Sequence, residues 1–223
     1  AKVLKMLIKF QMGDLASSKS ELEKLLKETP ENETILYALA QIYYGLELYK
    51  PALEMIKRAI QINAKSFEYK SFLCNLLLKT NKIEEAKPEI EDLNNTYPNY
   101  YYAKVLKAEY YNNIKDFDAL FDVAQELIEL DMNQYEGYYY NALALVEKND
   151  INFAIESLKK AITLNVNNAS LYVKMGEIYQ AIGQYENAFE YIKEASDIDK
   201  SARNKELYMQ LAGILRRKGI KTN

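Results

Sequence analysis

A strict 34-residue period is the feature of this 223-residue sequence that most limits how the chain can fold. In residues 169–202, apolar or small side chains recur at spacings of three and four over two stretches, which Gly183 separates. This spacing predicts two amphipathic helices joined by a turn. Steps of 34 residues back from Gly176 reach only small or compact residues, at Ala142, Ala108, Cys74 and Ala40. Five steps back from Ala188, which reach Ser18, need no insertion or deletion, so the same helix pair is expected along nearly the whole chain.

This helix–turn–helix period of 34 residues resembles the tetratricopeptide repeat family. The family pattern is met within residues 169–202 at Tyr172, Met175, Gly176, Tyr179, Ala188, Ile192 and Ala195. The resemblance implies an all-α fold, an α-α superhelical solenoid of about six repeats and thirteen helices with no sheet. The repeats are predicted at residues 1–32, 33–66, 67–100, 101–134, 135–168 and 169–202 of a single solenoid covering residues 1–223. Residues 203–218 are expected to form a capping helix or an incomplete further repeat.

Two positions carry specific packing predictions. Gly176 and Ala188 are small where the two helices of their repeat should cross, so added bulk at Gly176 is expected to be poorly tolerated. Pro88 is an anomaly: if Asn81 caps the second helix of residues 67–100, Pro88 lies about two turns inside it. A proline ring and its missing N–H conflict with a straight helix there. Either that helix starts late or it kinks.

Composition argues against several classes of function. The net charge is −3 and no long basic run occurs, so nucleic-acid binding through phosphate contacts is not expected. There is no histidine, and the single cysteine, Cys74, is predicted to be a buried packing residue. No glycine-rich phosphate loop, nucleophile elbow or metal-ligand spacing is visible. We therefore expect no enzyme activity, no cofactor and no metal in this segment.

The sequence leaves the cellular compartment open. No signal peptide or spanning segment is recognisable, which favours a soluble, cytoplasmic domain without membrane insertion. The chain starts at Ala1 inside an amphipathic pattern. That start is consistent with a segment of a longer protein.

In the family that the sequence resembles, the first helices of successive repeats line a concave groove that binds extended peptides or helices. Counting Ala169 as position one, positions 2, 5, 9 and 12 of each first helix share one face. This face predicts a peptide-binding groove of aromatic, acidic and amide side chains: Tyr37, Gln41, Tyr44, Glu68, Asn75, Tyr102, Glu109, Glu136, Tyr139 and Glu177. No lysine or arginine occupies those positions, so the expected partner is a basic protein or peptide segment with an apolar anchor. A merely solvated inner face is the alternative.

The groove also lacks a pattern found in some relatives, which clamp the acidic tails of heat-shock chaperones with Lys, Asn and Arg. Asn75 stands at position 9, but Ser71 replaces the required Lys and Leu106 the following Asn, so this carboxylate clamp is expected to be absent. The predicted function is a non-catalytic protein–protein interaction scaffold. An architectural self-association module, or the accessory region of a larger enzyme, remains the alternative.

Overall fold

The computed structural model describes residues 2–220, which form thirteen α-helices and no β-strand. The helices are α1 (Lys2–Gln11), α2 (Leu15–Glu28), α3 (Glu33–Gly45), α4 (Tyr49–Ile62), α5 (Phe67–Lys79), α6 (Ile83–Thr96), α7 (Tyr101–Ile114), α8 (Phe117–Leu130), α9 (Tyr135–Glu147), α10 (Ile151–Leu164), α11 (Ala169–Ala181), α12 (Tyr185–Ile198) and α13 (Ala202–Arg217). The all-α, helical-repeat prediction is confirmed. From α3 to α12, helices of the same kind begin 34 residues apart, and the predicted capping segment 203–218 corresponds to α13.

The chain divides into two compact units between Asn113 and Ile114. Helices α1 to α7 build the first unit around a continuous apolar core that includes Leu36, Leu77 and Leu106. Helices α8 to α13 build the second unit. The expectation of one solenoid over residues 1–223 stays a prediction.

The turn inside each repeat uses one left-handed residue. Its φ is positive at each occurrence, from 56° at Asn81 to 90° at Gly13. Inside the six repeats these residues are Gly13, Glu47, Asn81, Lys115, Asn149 and Gly183, and a seventh, Gly219, follows α13. At Glu47 the turn is closed by two backbone bonds, from Glu47 N–H to the Tyr44 carbonyl (2.9 Å) and from Leu48 N–H to the Tyr43 carbonyl (2.8 Å). This pair of bonds satisfies carbonyls at a helix end and suits glycine best, although four of the seven residues carry a side chain.

Pro88 lies inside an uninterrupted helix. Helix α6 begins at Ile83, Lys82 is its N-cap residue, and Asn81 belongs to the left-handed turn. Asn81 is therefore not the cap, and the late start offered as one explanation is wrong. Pro88 lacks the N–H that would bond the carbonyl of Glu84 one turn earlier. The kink stays a prediction.

Helices α11 and α12 approach closely at Gly176. A Cβ placed there would lie 2.6 Å from Ile192 Cγ1 and 3.3 Å from the Ala188 carbonyl oxygen. This confirms that Gly176 occupies the helix crossing. Cys74 holds the same repeat position in the first unit and is fully buried. Burial raises the pKa of its thiol to about 12, so Cys74 is a packing residue as predicted.

None of the helices described here combines the length and the apolar character that crossing a membrane requires.

Candidate functional site

Helices α3, α5 and α7 of the first unit bring seven of the predicted groove residues onto one surface. We call this surface the tyrosine–glutamate face; it consists of Tyr37, Gln41, Tyr44, Glu68, Asn75, Tyr102 and Glu109. Two of its helices are fixed at their N-termini by side chains. The Asn32 side-chain oxygen accepts the Ile35 N–H (3.1 Å), and the Ser66 hydroxyl accepts the Tyr69 N–H (3.3 Å). Such caps satisfy backbone donors that a helix end otherwise leaves unpaired.

An aromatic cluster forms one side of the tyrosine–glutamate face. The Phe72 ring lies 5.7 Å from the rings of both Tyr37 and Tyr44, edge-on in each case. Tyr37 also packs 4.8 Å from Tyr69, and the Gln41 side chain lowers the Tyr37 pKa against the larger, raising effect of burial. Edge-to-face contacts of this kind are favourable and hold the rings in place. The tyrosines therefore offer a preformed, half-exposed amphipathic surface.

Two members of this aromatic cluster, Phe72 and Tyr69, were missed by the sequence analysis. Phe72 lies at position 6 of its repeat and Tyr69 at position 3, so neither belongs to the position set used to define the groove. The signal that could have found them is the density of aromatic residues in α5. Side chains next to the chosen face of a helix also reach its edge.

A hydrogen bond joins α5 to α7 at the centre of the tyrosine–glutamate face. Asn75 Nδ2 donates to the Tyr102 hydroxyl oxygen at 3.2 Å. Tyr102 remains 40% exposed. Burial of its hydroxyl raises the Tyr102 pKa, and the bond from Asn75 works in the opposite direction. The phenol thus stays protonated near neutral pH and has a proton to donate to a ligand.

Glu109 supplies a carboxylate whose charge is not locally neutralised. Its side chain is half-buried on α7, and burial raises the carboxyl pKa, while the charge of Lys79 acts against that shift. Within residues 2–220, no lysine or arginine nitrogen lies within ion-pair distance of this carboxylate. Glu68, by contrast, is exposed, and its carboxylate accepts the Ser66 hydroxyl at 2.9 Å. The two acidic residues of the tyrosine–glutamate face therefore differ in burial and in their hydrogen-bond partners.

The other three predicted residues lie in the second unit. Glu177 on α11 forms an ion pair with Lys174, one turn earlier on the same helix. Both residues line a cavity of about 340 Å³ together with Tyr139 and Arg203. Glu136 is half-buried on α9 and is not among the residues lining this cavity.

Two basic side chains, Lys174 and Arg203, therefore line this cavity, and the four chosen helix positions did not reveal them. Lys174 is at position 6, and Arg203 belongs to α13, outside the regular 34-residue register. Long basic side chains reach well beyond the patch that their own helical position defines. The expectation of a groove without basic groups holds only for positions 2, 5, 9 and 12, not for the surface of the second unit.

No group of three or more His, Cys, Asp and Glu side chains among residues 2–220 could hold a metal ion.

Comparison with known proteins matches three segments of the chain to family models. Residues 9–73 and 169–201 match models described as tetratricopeptide repeat, and residues 142–183 match a model described as TPR repeat. A human protein, DnaJ homolog subfamily C member 3, is 20% identical over 203 residues. The match covers 84% of this chain and 40% of that protein, so the chain spans well under half the length of this relative.

Solved structures resemble this chain over most of its length. A tetratricopeptide repeat protein from Parabacteroides merdae has a TM-score of 0.84 at 19% identity, covering 94% of this chain and 82% of its own. PilF from Pseudomonas aeruginosa has a TM-score of 0.71 at 16% identity, covering 96% of each chain. At such identities the likeness establishes the fold and leaves the function to be argued from the site.

Proposed function

Because the chain belongs to the tetratricopeptide repeat family, we propose that it is a non-catalytic protein–protein interaction scaffold that binds a peptide or helix of a partner. The observation that carries this proposal is the tyrosine–glutamate face. Side chains from three successive first helices meet there through the Asn75–Tyr102 hydrogen bond and the contacts of Phe72 with Tyr37 and Tyr44. A surface built in this way loses little side-chain entropy when it binds.

The chemistry of this face favours a basic segment with one large apolar anchor. Glu68 and Glu109 place negative charge on it, and half-buried Tyr37 and Tyr44 offer ring area against which an aliphatic or aromatic side chain can pack. Acidic groups speed the encounter with a basic ligand, and added salt should weaken the attraction by screening. We expect a dissociation constant of about 1 μM, roughly −8 kcal/mol, since an extended peptide loses entropy when it becomes ordered.

Peptide selection tests the proposal. A random peptide library displayed on phage is selected against the full chain at low salt, and the selected peptides are synthesised and titrated by calorimetry. We expect sequences rich in arginine or lysine with a large apolar residue. Tyr102→Ala should weaken their binding about tenfold or more, as removal of a well-packed interface residue often does.

A matched control uses Tyr100→Ala. Tyr100 is also an exposed tyrosine, at 52%, but it packs on Phe67 ahead of α7 and lies outside the tyrosine–glutamate face. Its removal should leave the affinity unchanged. Selection of acidic peptides, or equal affinity for the wild type and Tyr102→Ala, would show that this face is not the binding surface.

Self-association is a second candidate function, supported by an apolar stripe on α1. Leu4 and Ile8 are spaced one turn apart and are 64% and 48% exposed, and Met12 follows at 82%. Light scattering on the wild type and on Leu4→Glu/Ile8→Glu tests this role. A dimer that the double substitution dissociates supports an architectural function; a monomer at high micromolar concentration argues against it.

A further inference from the structure

We propose that the tyrosine–glutamate face contains an arginine-selective subsite, formed by Glu109, Tyr102 and Asn75, which accepts a guanidinium group in preference to a lysine ammonium group. This inference rests on the proposed peptide-binding function and names the side chain that the partner places there.

Glu109 carries an electrostatic cost when no ligand is bound. A carboxylate that is partly removed from water without a direct ion pair raises the energy of the folded protein. The raised pKa of Glu109 reflects this burial, and Lys79 offsets it only through its electrostatic field. A ligand cation placed against Glu109 would supply the missing partner, so the cost present in the free protein would be relieved on binding.

The groups that complete the proposed subsite are Tyr102 and Asn75. Tyr102 lies seven residues before Glu109 on α7, which places the two side chains on the same side of the helix. Tyr44 and Glu109 both act electrostatically on the Tyr102 hydroxyl. Asn75 uses its Nδ2 on that hydroxyl, and this bond leaves the Asn75 side-chain carbonyl available as an acceptor. The subsite therefore offers two kinds of acceptor, a carboxylate and an amide oxygen, next to phenol rings.

The arginine and lysine side chains differ in how well they suit this subsite. A guanidinium is planar, carries five N–H donors in a fixed fork and is less strongly hydrated than an ammonium. It can form paired bonds with a carboxylate and stack on an aromatic ring at the same time. An ammonium is a compact charge that must give up more hydration in a half-buried, ring-lined site. These properties favour arginine at Glu109.

Two of the other three acidic residues of the predicted groove do not offer the same environment. Glu177 is already paired with Lys174, and Glu68 is exposed and bonded to Ser66. Arginine selectivity should therefore depend on Glu109. Glu177→Gln provides a matched control, because it makes the same chemical change at the same repeat position in the second unit.

The test titrates the isotope-labelled full chain by NMR with three small probes: N-acetyl-arginine amide, N-acetyl-lysine amide and N-acetyl-citrulline amide. Citrulline keeps the planar shape and length of arginine without its charge. We expect the arginine probe to shift backbone signals of α5 and α7, with at least about tenfold weaker binding of the lysine and citrulline probes. Glu109→Gln should abolish the preference for arginine, and Glu177→Gln should preserve it.

A thermal melt adds a second readout. Relief of an uncompensated carboxylate predicts that Glu109→Gln raises the melting temperature while it weakens arginine binding. A loss of binding with a lowered melting temperature would indicate general damage to the fold. In that case, Tyr102→Phe, which keeps the ring, should still bind the arginine probe more tightly than the lysine probe; failure to do so overturns the inference.

The outcomes separate this inference from the proposed function. Equal binding of the arginine and lysine probes, or selectivity that survives Glu109→Gln, overturns the arginine subsite even if selected peptides bind the tyrosine–glutamate face. Conversely, the absence of any selected peptide, together with probe binding that depends on Glu109, supports the subsite and overturns the proposed peptide scaffold.

Discussion

Glu109 in the first unit and Glu177 in the second stand at the same repeat position, yet their carboxylates differ in electrostatic environment. Glu109 in the first unit is half-buried, with Tyr102 near it and no ion-pair partner among residues 2–220. Glu177 in the second unit is paired with Lys174, and Arg203 lines the same cavity. The same repeat position can thus provide a carboxylate that is available to a ligand cation or one that is already paired within the protein. The difference lies in neighbouring side chains rather than in the repeat pattern.

The largest expected effect tests the stability of the first unit. Pro88→Ala restores an N–H in the interior of α6 and should stabilise the protein by up to about 3 kcal/mol. Urea unfolding followed by circular dichroism measures the change. Pro51→Ala is the control, because Pro51 lies in the first turn of α4, where no intrahelical bond is lost. A Pro88→Ala protein no more stable than the wild type would show that α6 accommodates the proline without cost.

Bulk at Gly176 should affect the second unit instead. Gly176→Leu forces side-chain atoms into space held by Ile192 and should destabilise the protein by about 1–3 kcal/mol. Gly213→Ala in α13 is the control: nothing lies within 4 Å of a Cβ added there, so it should stabilise by about 1 kcal/mol.

Measuring arginine-probe binding to Gly176→Leu sharpens the comparison, since the tyrosine–glutamate face lies in the first unit and Gly176 in the second. Gly176→Leu should leave probe binding intact while the melting temperature falls. An unchanged melting temperature would contradict the helix crossing at Gly176, and parallel loss of binding would mean that the two units are not energetically separate.

A smaller effect is expected at the turns, where the left-handed residue differs from one repeat to another. Glu47 in the first unit adopts a φ of 59°, whereas the equivalent residue of the sixth repeat is Gly183, with a φ of 78°. Glu47→Gly should stabilise by about 0.5–1 kcal/mol, the relief of left-handed strain less the extra entropy that glycine loses on folding. Gly183→Ala should reverse the sign. Chemical denaturation of both variants measures the pair, and destabilisation by Glu47→Gly would mean that the Glu47 side chain contributes more than its strain costs.

The smallest effect concerns pH. The pKa of Glu109 in the folded protein lies above its usual value of 4.5, because burial disfavours the charged form. Its contribution to stability is therefore fully present below the unfolded-state pKa and is lost as pH rises through the folded-state pKa. The stability advantage of Glu109→Gln over wild type should consequently grow from about pH 4 to about pH 7. Melting curves across this range test the sign, and a constant or shrinking advantage would contradict the burial of the carboxylate.

The sequence predicted the helices well, because one 34-residue register determines where each helix begins and which side it buries. It also placed Tyr37, Tyr102 and Glu109 on one groove-lining face, and that assignment stays a prediction. It missed Phe72 and Lys174, because four fixed positions per helix ignore the reach of adjacent side chains. Nor could it predict the partly buried series of hydrogen bonds in the second unit, in which Gln125 Nε2 donates to Asn141 Oδ1 (2.9 Å) and Asn141 Nδ2 donates to Ser157 Oγ (2.8 Å). Those bonds join three helices, so no single-helix periodicity reveals them.

The turns show a second limit of sequence reasoning. Gly13 and Gly183 can be recognised as turn residues because glycine adopts positive φ readily. Glu47 and Lys115 adopt the same left-handed conformation, although neither residue type favours it. The conformation there follows from the backbone bonds that close the preceding helix, as at Glu47, rather than from the residue itself.

The position of the division between Asn113 and Ile114 has a consequence for how binding specificity could be inherited. Helix α7 is the last helix of the first unit, so the tyrosine–glutamate face, from Tyr37 to Glu109, is encoded in one uninterrupted stretch. A gene fusion or recombination event at this boundary would transfer that recognition surface as a single block. The same event at the preceding repeat boundary, after residue 100, would separate Tyr102 and Glu109 from the aromatic cluster and leave neither recombinant with the whole surface.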